Sequence, residues 1–461
     1  MADAAPFDVI SAGLAEVHRQ LLPVTDGEVA SYIPQLALAD PGDFGLALVS
    51  MDGHRYRAGR AGVPFSLQSV SKPFVYALAL AELGLEEVRA RVGLEPSGDA
   101  FNAISLERGT GRPANPMINA GAIATTNLVP AGSPQERFGR VLEGLSAFAG
   151  RRLDVDEEVY RSESATGDRN RALAYLMHAA GSLRTEPRAA VETYFRQCAV
   201  RVDTVDLAVM AATLATGGVN PVSGRRVVPE PVAVQVLAVM ATCGMYDAAG
   251  DWLVRVGLPA KSGVSGGLAA ASPGRFGIAC YSPPLDSTGS PVRAVAALRE
   301  MSRRFGMHLM HVPAPGPATV TACTTAEHWP AGADRPPAER ELLAREGRRI
   351  ALVAARGELD FTAVERVLWA LASVAPQQPG WLVLDLAEVL WVRPPARAML
   401  EAALERVTAA GHRVGVVPGA QAYGHGGLAS GAQVCGSRAE AVAWAEDCLV
   451  ASSAGLRKPP D

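Results

Sequence analysis

Phe7, Ile10, Leu14, Val17 and Leu21 recur every three or four positions, so residues 1–24 predict an amphipathic helix. The texture then changes. Residues 45–51 (GLALVSM) are a short apolar run, Asp52-Gly53 is a hairpin turn signal, and HRYRAG returns from it. The hairpin leads into PFSLQSVSKPFVYALALAEL, whose second half is apolar enough for a buried helix. Pro73 fits only in the first turn of that helix, since deeper in it would remove a hydrogen bond and clash with the preceding turn. The SVSK segment therefore sits at a helix N-terminus.

A loop-rich stretch is expected from Pro96 to Asn119, followed by alternating helical patterns and polar turns to about residue 250. VDLAVMAATLATGG reads as a helix ended by two glycines, and PVAVQVLAVMATCGMY as another. From Trp252, WLVRVGLPAKSGVSGGLAAASPGRFGIACYSPP predicts three short strands joined by Gly and Pro turns, closed by the amphipathic helix VRAVAALREMSRRFG. Strands at both ends with helices between them predict an α+β domain over 1–310, not a βαβ repeat. Residues 311–339 hold six prolines and little periodicity, which predicts a linker. A β-α-β-α-β-α order over 340–450 predicts a small α/β domain, and 451–461 a flexible tail.

At 461 residues, two or more domains are expected on length alone. Lys+Arg 43 against Asp+Glu 47 gives a net charge of -4, which disfavours a dedicated binder of nucleic acid or of an anionic membrane. No apolar run reaches membrane-spanning length, and MADAAPFDVISAGLAEVHRQ lacks the basic start and apolar core of a secretory signal. A cytoplasmic protein is expected. The six cysteines form no C-x-x-C pair and no histidine cluster has ligand spacing, so neither a disulfide framework nor a metal site is predicted. One detail is more informative. Only three of the 43 basic residues are lysines: Lys72, Lys261 and Lys458. An amine can lose its proton near neutral pH and a guanidinium cannot, so Lys72 and Lys261 become candidates for chemistry.

Ser69-Val70-Ser71-Lys72 is an S-x-x-K pattern, and residues three apart share a helix face. A desolvated neutral lysine can take the proton that makes serine nucleophilic, and a helix N-terminus favours a developing oxyanion. The bare pattern occurs by chance on solvated helices; the apolar, proline-started helix and the scarcity of lysine favour the catalytic reading. Lys261-Ser262-Gly263 alone could be a surface lysine beside a turn. Hydrolases of the S-x-x-K type use a K-[ST]-G strand beside the nucleophile, and the two lysines together support that arrangement. No clear S-D-N element is present, which counts against a β-lactamase or penicillin-binding enzyme.

Across roughly residues 7–310 the chain resembles the serine-dependent glutaminases. The resemblance rests on SYIPQLA (31–37), PFSLQSVSKP (64–73), EPSG (95–98), NPMINAGAI (115–123), ESATGDRN (163–170), YFRQC (194–198), VMAATLATGG (209–218), CGMYD (243–247) and GLPAKSGVSGG (257–267). It implies a β-lactamase/transpeptidase-like fold, with an antiparallel sheet and a helical subdomain. It also implies hydrolysis of L-glutamine to L-glutamate and ammonia, assembly as a homodimer or homotetramer, and no cofactor. Ser69 matches the nucleophile, Lys72 the general base, and Tyr246 a proton shuttle. Tyr32, Asn119, Glu163, Asn170 and Tyr194 match the residues that hold the amino-acid end of the substrate. Val264 would add a backbone N–H, with Lys261, Ser262 and Gly263 in support. The physics agrees: a free amino acid needs an anion for its ammonium, which Glu163 supplies, and donors for its carboxylate. The 340–450 segment resembles a STAS domain through GELDFTAVERV and LVLDLAEVLWV. Regulatory STAS domains open the following helix with a phosphorylatable hydroxyl. Here the stretch reads Arg393-Pro394-Pro395-Ala396, so a docking or assembly role with a protein partner is expected without that switch.

Overall fold

The hairpin of the sequence reading is formed by β1 (Gly45–Ser50) and β2 (Arg55–Gly59), paired antiparallel with Leu48 opposite Tyr56. In the computed structural model, which describes residues 9–97, 106–310, 319–332, 334–419 and 431–453, this hairpin belongs to a five-stranded sheet. The other strands are β3 (Ala260–Ser262), β4 (Gly267–Ser272) and β5 (Phe276–Tyr281). They run in the order β2-β1-β5-β4-β3, and every pairing is antiparallel.

The central strands are apolar throughout because both sheet faces are covered. Side chains alternate between the faces along a strand. Ala47, Val49, Ala269, Ala271 and Ala279 join one core, while Leu46, Leu48, Leu268, Ile278 and Cys280 join the other. The second core is closed by α1 (Val9–Leu21), through Leu14 and Val17, and by the helix Val292–Phe305, through Ala294, Leu298 and Met301. On the first face lies the helix Thr204–Ala215, and α2 (Lys72–Leu83) joins the same core behind it, both buried almost all round. Gly277 of β5 lets Thr204–Ala215 rest directly on the sheet: a Cβ there would meet Ala212 N at 2.0 Å.

The three strands expected from Trp252 onward are β3, β4 and β5, but they begin only at Ala260, because Trp252–Arg255 closes the helix Ala249–Arg255. The short apolar run Trp252-Leu253-Val254 satisfies either period. The helix wins because Trp252 buries its ring in the second core and donates its indole N–H to Leu258 O at 2.7 Å. Phe7, residues 98–105 of the loop-rich stretch and the tail beyond 453 lie outside the described residues.

The chain divides into two compact units, Met1–His311 and Val312–Asp461. The second holds a five-stranded sheet of β6 (Val320–Thr325), β7 (Ile350–Leu359), β8 (Trp381–Val392), β9 (Arg413–Val417) and β10 (Gln433–Val434), in that order. β6 is antiparallel to β7; the remaining pairs are parallel. Val364, Val367, Leu400 and Leu404 bring helices Phe361–Val374 and Pro394–Ala409 into one core, and Ala441, Ala445 and Leu449 bring Arg438–Ser453 into another. The expected linker over 311–339 is corrected here. VTACTT within it is the edge strand β6, and its end at 337–339 begins the helix Pro337–Glu346. The last helix also runs to Ser453, past the expected boundary at 450. Among the described residues no single helix is long and apolar enough to cross a membrane.

Candidate active site

Ser69 lies in a single 3₁₀ turn, Gln68–Ser71, which feeds directly into α2 at Lys72, with Pro73 in the first turn as the sequence requires. In a 3₁₀ turn residues three apart eclipse one another, so Ser69 and Lys72 fall on one side. Both are enclosed, at 7% and 1% exposure. Lys72 Nζ donates to Asn119 Oδ1 at 2.7 Å and to Met117 O at 3.2 Å. These are neutral oxygens, so burial dominates and lowers the Lys72 ammonium from 10.5 to about 7.

Lys261 approaches from the sheet. It is fully buried on β3, its Nζ donates to Ser262 O at 2.7 Å, and the same atom lies 3.8 Å from the centroid of the Tyr246 ring. Burial, and then the neighbouring Lys72, hold it well below the usual lysine range. Gly263 ends the strand where side chains no longer fit: a Cβ would meet Val70 Cγ2 at 2.8 Å. The K-S-G strand thus packs on the serine turn itself, with Val264 just beyond it.

The third side is helical. Glu163, buried on the helix Glu157–Thr166, accepts from Tyr32 Oη at 2.7 Å and from Gln68 Nε2 at 3.0 Å. Burial raises its carboxyl above the usual range, and the two hydrogen bonds oppose that shift. Tyr32 is half exposed as a residue, yet its hydroxyl end is enclosed and its pKa is raised by burial first and by Glu163 second. Asn119, first residue of the helix Asn119–Leu128, donates through Nδ2 to Asn170 Oδ1 at 3.1 Å. Tyr194 and Cys198 stand one turn apart on the helix Pro187–Cys198 and hydrogen-bond to each other. Burial pushes the Cys198 thiol up to about 12, so it stays protonated and is no competing nucleophile.

These groups enclose a cavity of about 290 Å³, lined by Tyr32, Ser69, Asn119, Glu163, Asn170, Tyr194 and Val264. That is the small end of ligand pockets, which run roughly 300–1,000 Å³. Tyr246 stands differently. Its ring lines a neighbouring hollow of about 560 Å³ with Asn115, Ile118 and Leu253, while its side chain hydrogen-bonds with that of Ser69. Among the described residues only Gln68 (φ 50°) and Tyr246 (φ 54°) are non-glycine residues with positive φ, and both border Ser69. Backbone in that region is strained and persists only where its surroundings hold it.

Sequence reasoning missed Gln68, Arg169 and Cys198, which also line the cavity. All three lie inside the quoted blocks. Gln68, immediately before the serine, is the one whose position was a usable signal. Among the described residues no group of His, Cys, Asp or Glu could hold a metal ion.

A buried serine one 3₁₀ turn before a buried amine held at about 7, with one carboxylate among amides and phenols, is equipped for acyl transfer from a small zwitterionic amide. The glutaminase family profile matches residues 27–310, and the chain belongs to that family. It is 52% identical over 282 residues to the glutaminase of Clavibacter michiganensis subsp. michiganensis, covering 61% of this chain and 86% of that protein. It is 44% identical over 376 residues to Glutaminase 2 of Bradyrhizobium diazoefficiens, a match over 82% of this chain that spans 60% of the relative's own length. A crystal structure described as Mglu in its glutamate form superposes with a TM-score of 0.78 at 40% identity, over 90% of this chain and 99% of that one.

Proposed function

We propose that the chain hydrolyses L-glutamine to L-glutamate and ammonia through a Ser69 acyl-enzyme. Ser69 Oγ attacks the side-chain amide carbon as neutral Lys72 takes its proton. The backbone N–H groups of Ser69 and Val264 receive the oxyanion. As the C–N bond breaks, the proton passes to the departing nitrogen, with the Tyr246 hydroxyl as the relay. Water, deprotonated in turn by Lys72, then adds to the ester, and glutamate leaves with Ser69 restored. Glu163 pairs with the α-ammonium; Tyr32, Asn119, Asn170 and Tyr194 hold the rest of the amino-acid end. Lys261, Ser262 and Gly263 form the strand end that leads to Val264.

The observation that carries this reading is the placement of Ser69 and Glu163 in one small cavity, with the Lys72 amine buried against neutral oxygens. Ammonia release from L-glutamine by the purified protein tests it. Ser69→Ala should abolish turnover and leave glutamate binding measurable, since the pocket's polar groups remain. Wild-type turnover by Ser69→Ala would refute the mechanism.

We further read the first unit as β-lactamase-like, on its antiparallel sheet and the serine turn feeding a buried helix. The second is read as STAS-like, on its parallel strands with crossover helices and its β8 segment LVLDLAEVLWV. The helix Pro394–Ala409 opens on proline after an extended Arg393, so no hydroxyl is offered at its first turn.

A further inference from the structure

Behind the serine turn, three side chains that the proposed mechanism does not use form a hydrogen-bonded chain. Thr126 Oγ1 lies 2.7 Å from Gln197 Oε1, Gln197 Nε2 lies 2.9 Å from Ser71 Oγ, and Ser71 Oγ lies 2.7 Å from the carbonyl oxygen of Gln68. All three residues are 0% exposed. They come from three separate elements: helix Asn119–Leu128, helix Pro187–Cys198 and the serine turn.

One end fixes the direction of every bond. Gln68 O is a carbonyl and can only accept, so the Ser71 hydroxyl gives its single proton there. Ser71 Oγ must then accept from Gln197 Nε2. That turns Gln197 Oε1 toward Thr126, whose hydroxyl donates to it. The Thr126 hydroxyl also lies 2.8 Å from Ala122 O, the back-bond usual for a helical threonine, so its proton is shared. A polar chain this deep is costly unless all its members are satisfied, and apolar residues could fill the same space. Its retention needs another reason.

The chain ends on the peptide that carries the nucleophile's N–H. Gln68 C=O and Ser69 N–H belong to one planar trans unit, so the two point in opposite directions. Whatever aims the carbonyl toward Ser71 aims the N–H away from it. Gln68 is also at φ 50°, a conformation that must be held from outside. We propose that Ser71, Gln197 and Thr126 form a positioning network that orients the Ser69 N–H as oxyanion donor. The inference rests on Ser69 being the nucleophile. A donor of this kind acts in the transition state and not on bound substrate, so its misalignment lowers kcat and leaves KM alone.

The test uses the full chain and three variants. Ser71→Ala removes one oxygen and leaves Gln68 O with only the backbone N–H of the 3₁₀ turn to hold it. Its kcat on L-glutamine should fall about 10–100-fold, less than the 10²–10³ seen when an oxyanion donor is deleted outright, with KM and the Kd for L-glutamate within about threefold. Gln197→Met should behave alike. Gln197→Glu, as the neutral acid, can donate O–H to Ser71 and accept from Thr126; at the lowest pH at which wild type turns over, it should exceed Gln197→Met at least tenfold. Equal activity of those two variants at that pH, or wild-type kcat in Ser71→Ala, overturns the network. So does a loss spread over kcat, KM and melting temperature together, the mark of a merely structural role. If Gln197→Met does not fold, Ser71→Ala decides. Turnover retained by Ser69→Ala would remove the underlying mechanism, whereas a dead Ser69→Ala beside a fully active Ser71→Ala removes the network alone.

Discussion

Lys72 carries the most testable consequence of any single side chain. Burial holds its ammonium at about 7, against 10.5 when exposed. As a base it works only when neutral, so kcat/KM should rise with pH through about 7 and level off above it. A profile flat from pH 6 to 9 would exclude Lys72 as the titrating base. Stability follows the same shift. Between about 7 and 10.5 the folded state holds fewer protons here than the unfolded state, so burial of Lys72 makes the protein more stable as pH rises across that window. Lys72→Arg keeps the cation and loses the titration; kcat should drop by about 10³-fold or more. Glu163→Gln should weaken binding by roughly 1–3 kcal/mol, mostly in KM, because it would remove the charge proposed to face the α-ammonium. The defect should shrink for substrates without an α-amino group, and equal losses on both kinds would reject that pairing. Lys72 and Lys261 were legible because amines are rare in this chain. Arg169 and Gln197 were not: one is an arginine among many, the other a polar residue on a helix, and only the fold shows what each faces.

At the scale of elements, the site depends on how closely β3 approaches the serine turn. Gly263 follows the strand directly, and a Cβ there would sit 2.8 Å from Val70 Cγ2 and 3.2 Å from Leu67 O. Val70 lies within the turn that holds Ser69 and Leu67 immediately precedes it, so neither can move without moving it. Gly263→Ala should therefore cut kcat by more than tenfold while the circular dichroism spectrum stays that of wild type. Unchanged turnover would mean the turn has slack that its burial does not suggest. The β1–β2 hairpin and the proline-started helix α2 were readable because each has its own local signal. Where the later strands begin was not, since the short apolar run from Trp252 fits both periods and Trp252 is placed by a core assembled from distant segments. VTACTT was lost for a different reason: its alternation is sound, but six surrounding prolines set the reading of the whole stretch. Its partner is β7, some thirty residues on, and no local pattern records that pairing.

For the whole molecule, β6 changes where the chain can be cut. The groups of the candidate site, from Tyr32 to Val264, all belong to the first unit, whose compact region ends at His311. Residues 1–311 should then release ammonia from L-glutamine with kcat within about threefold of the full chain. The second unit has its own two cores on either face of its sheet and should fold alone, provided β6 is kept. A fragment begun at 338 would strip that strand from β7 and leave Val353 and Ala355 with an unpaired edge, an invitation to aggregation. A fragment begun at 312 keeps the strand. The 312–461 fragment should be monodisperse with a cooperative melt, and the 338–461 fragment should melt lower or precipitate. Equal behaviour of the two would show β6 to be dispensable. Loss of turnover in residues 1–311, with its melt intact and at matched concentration, would make the second unit part of the catalytic assembly.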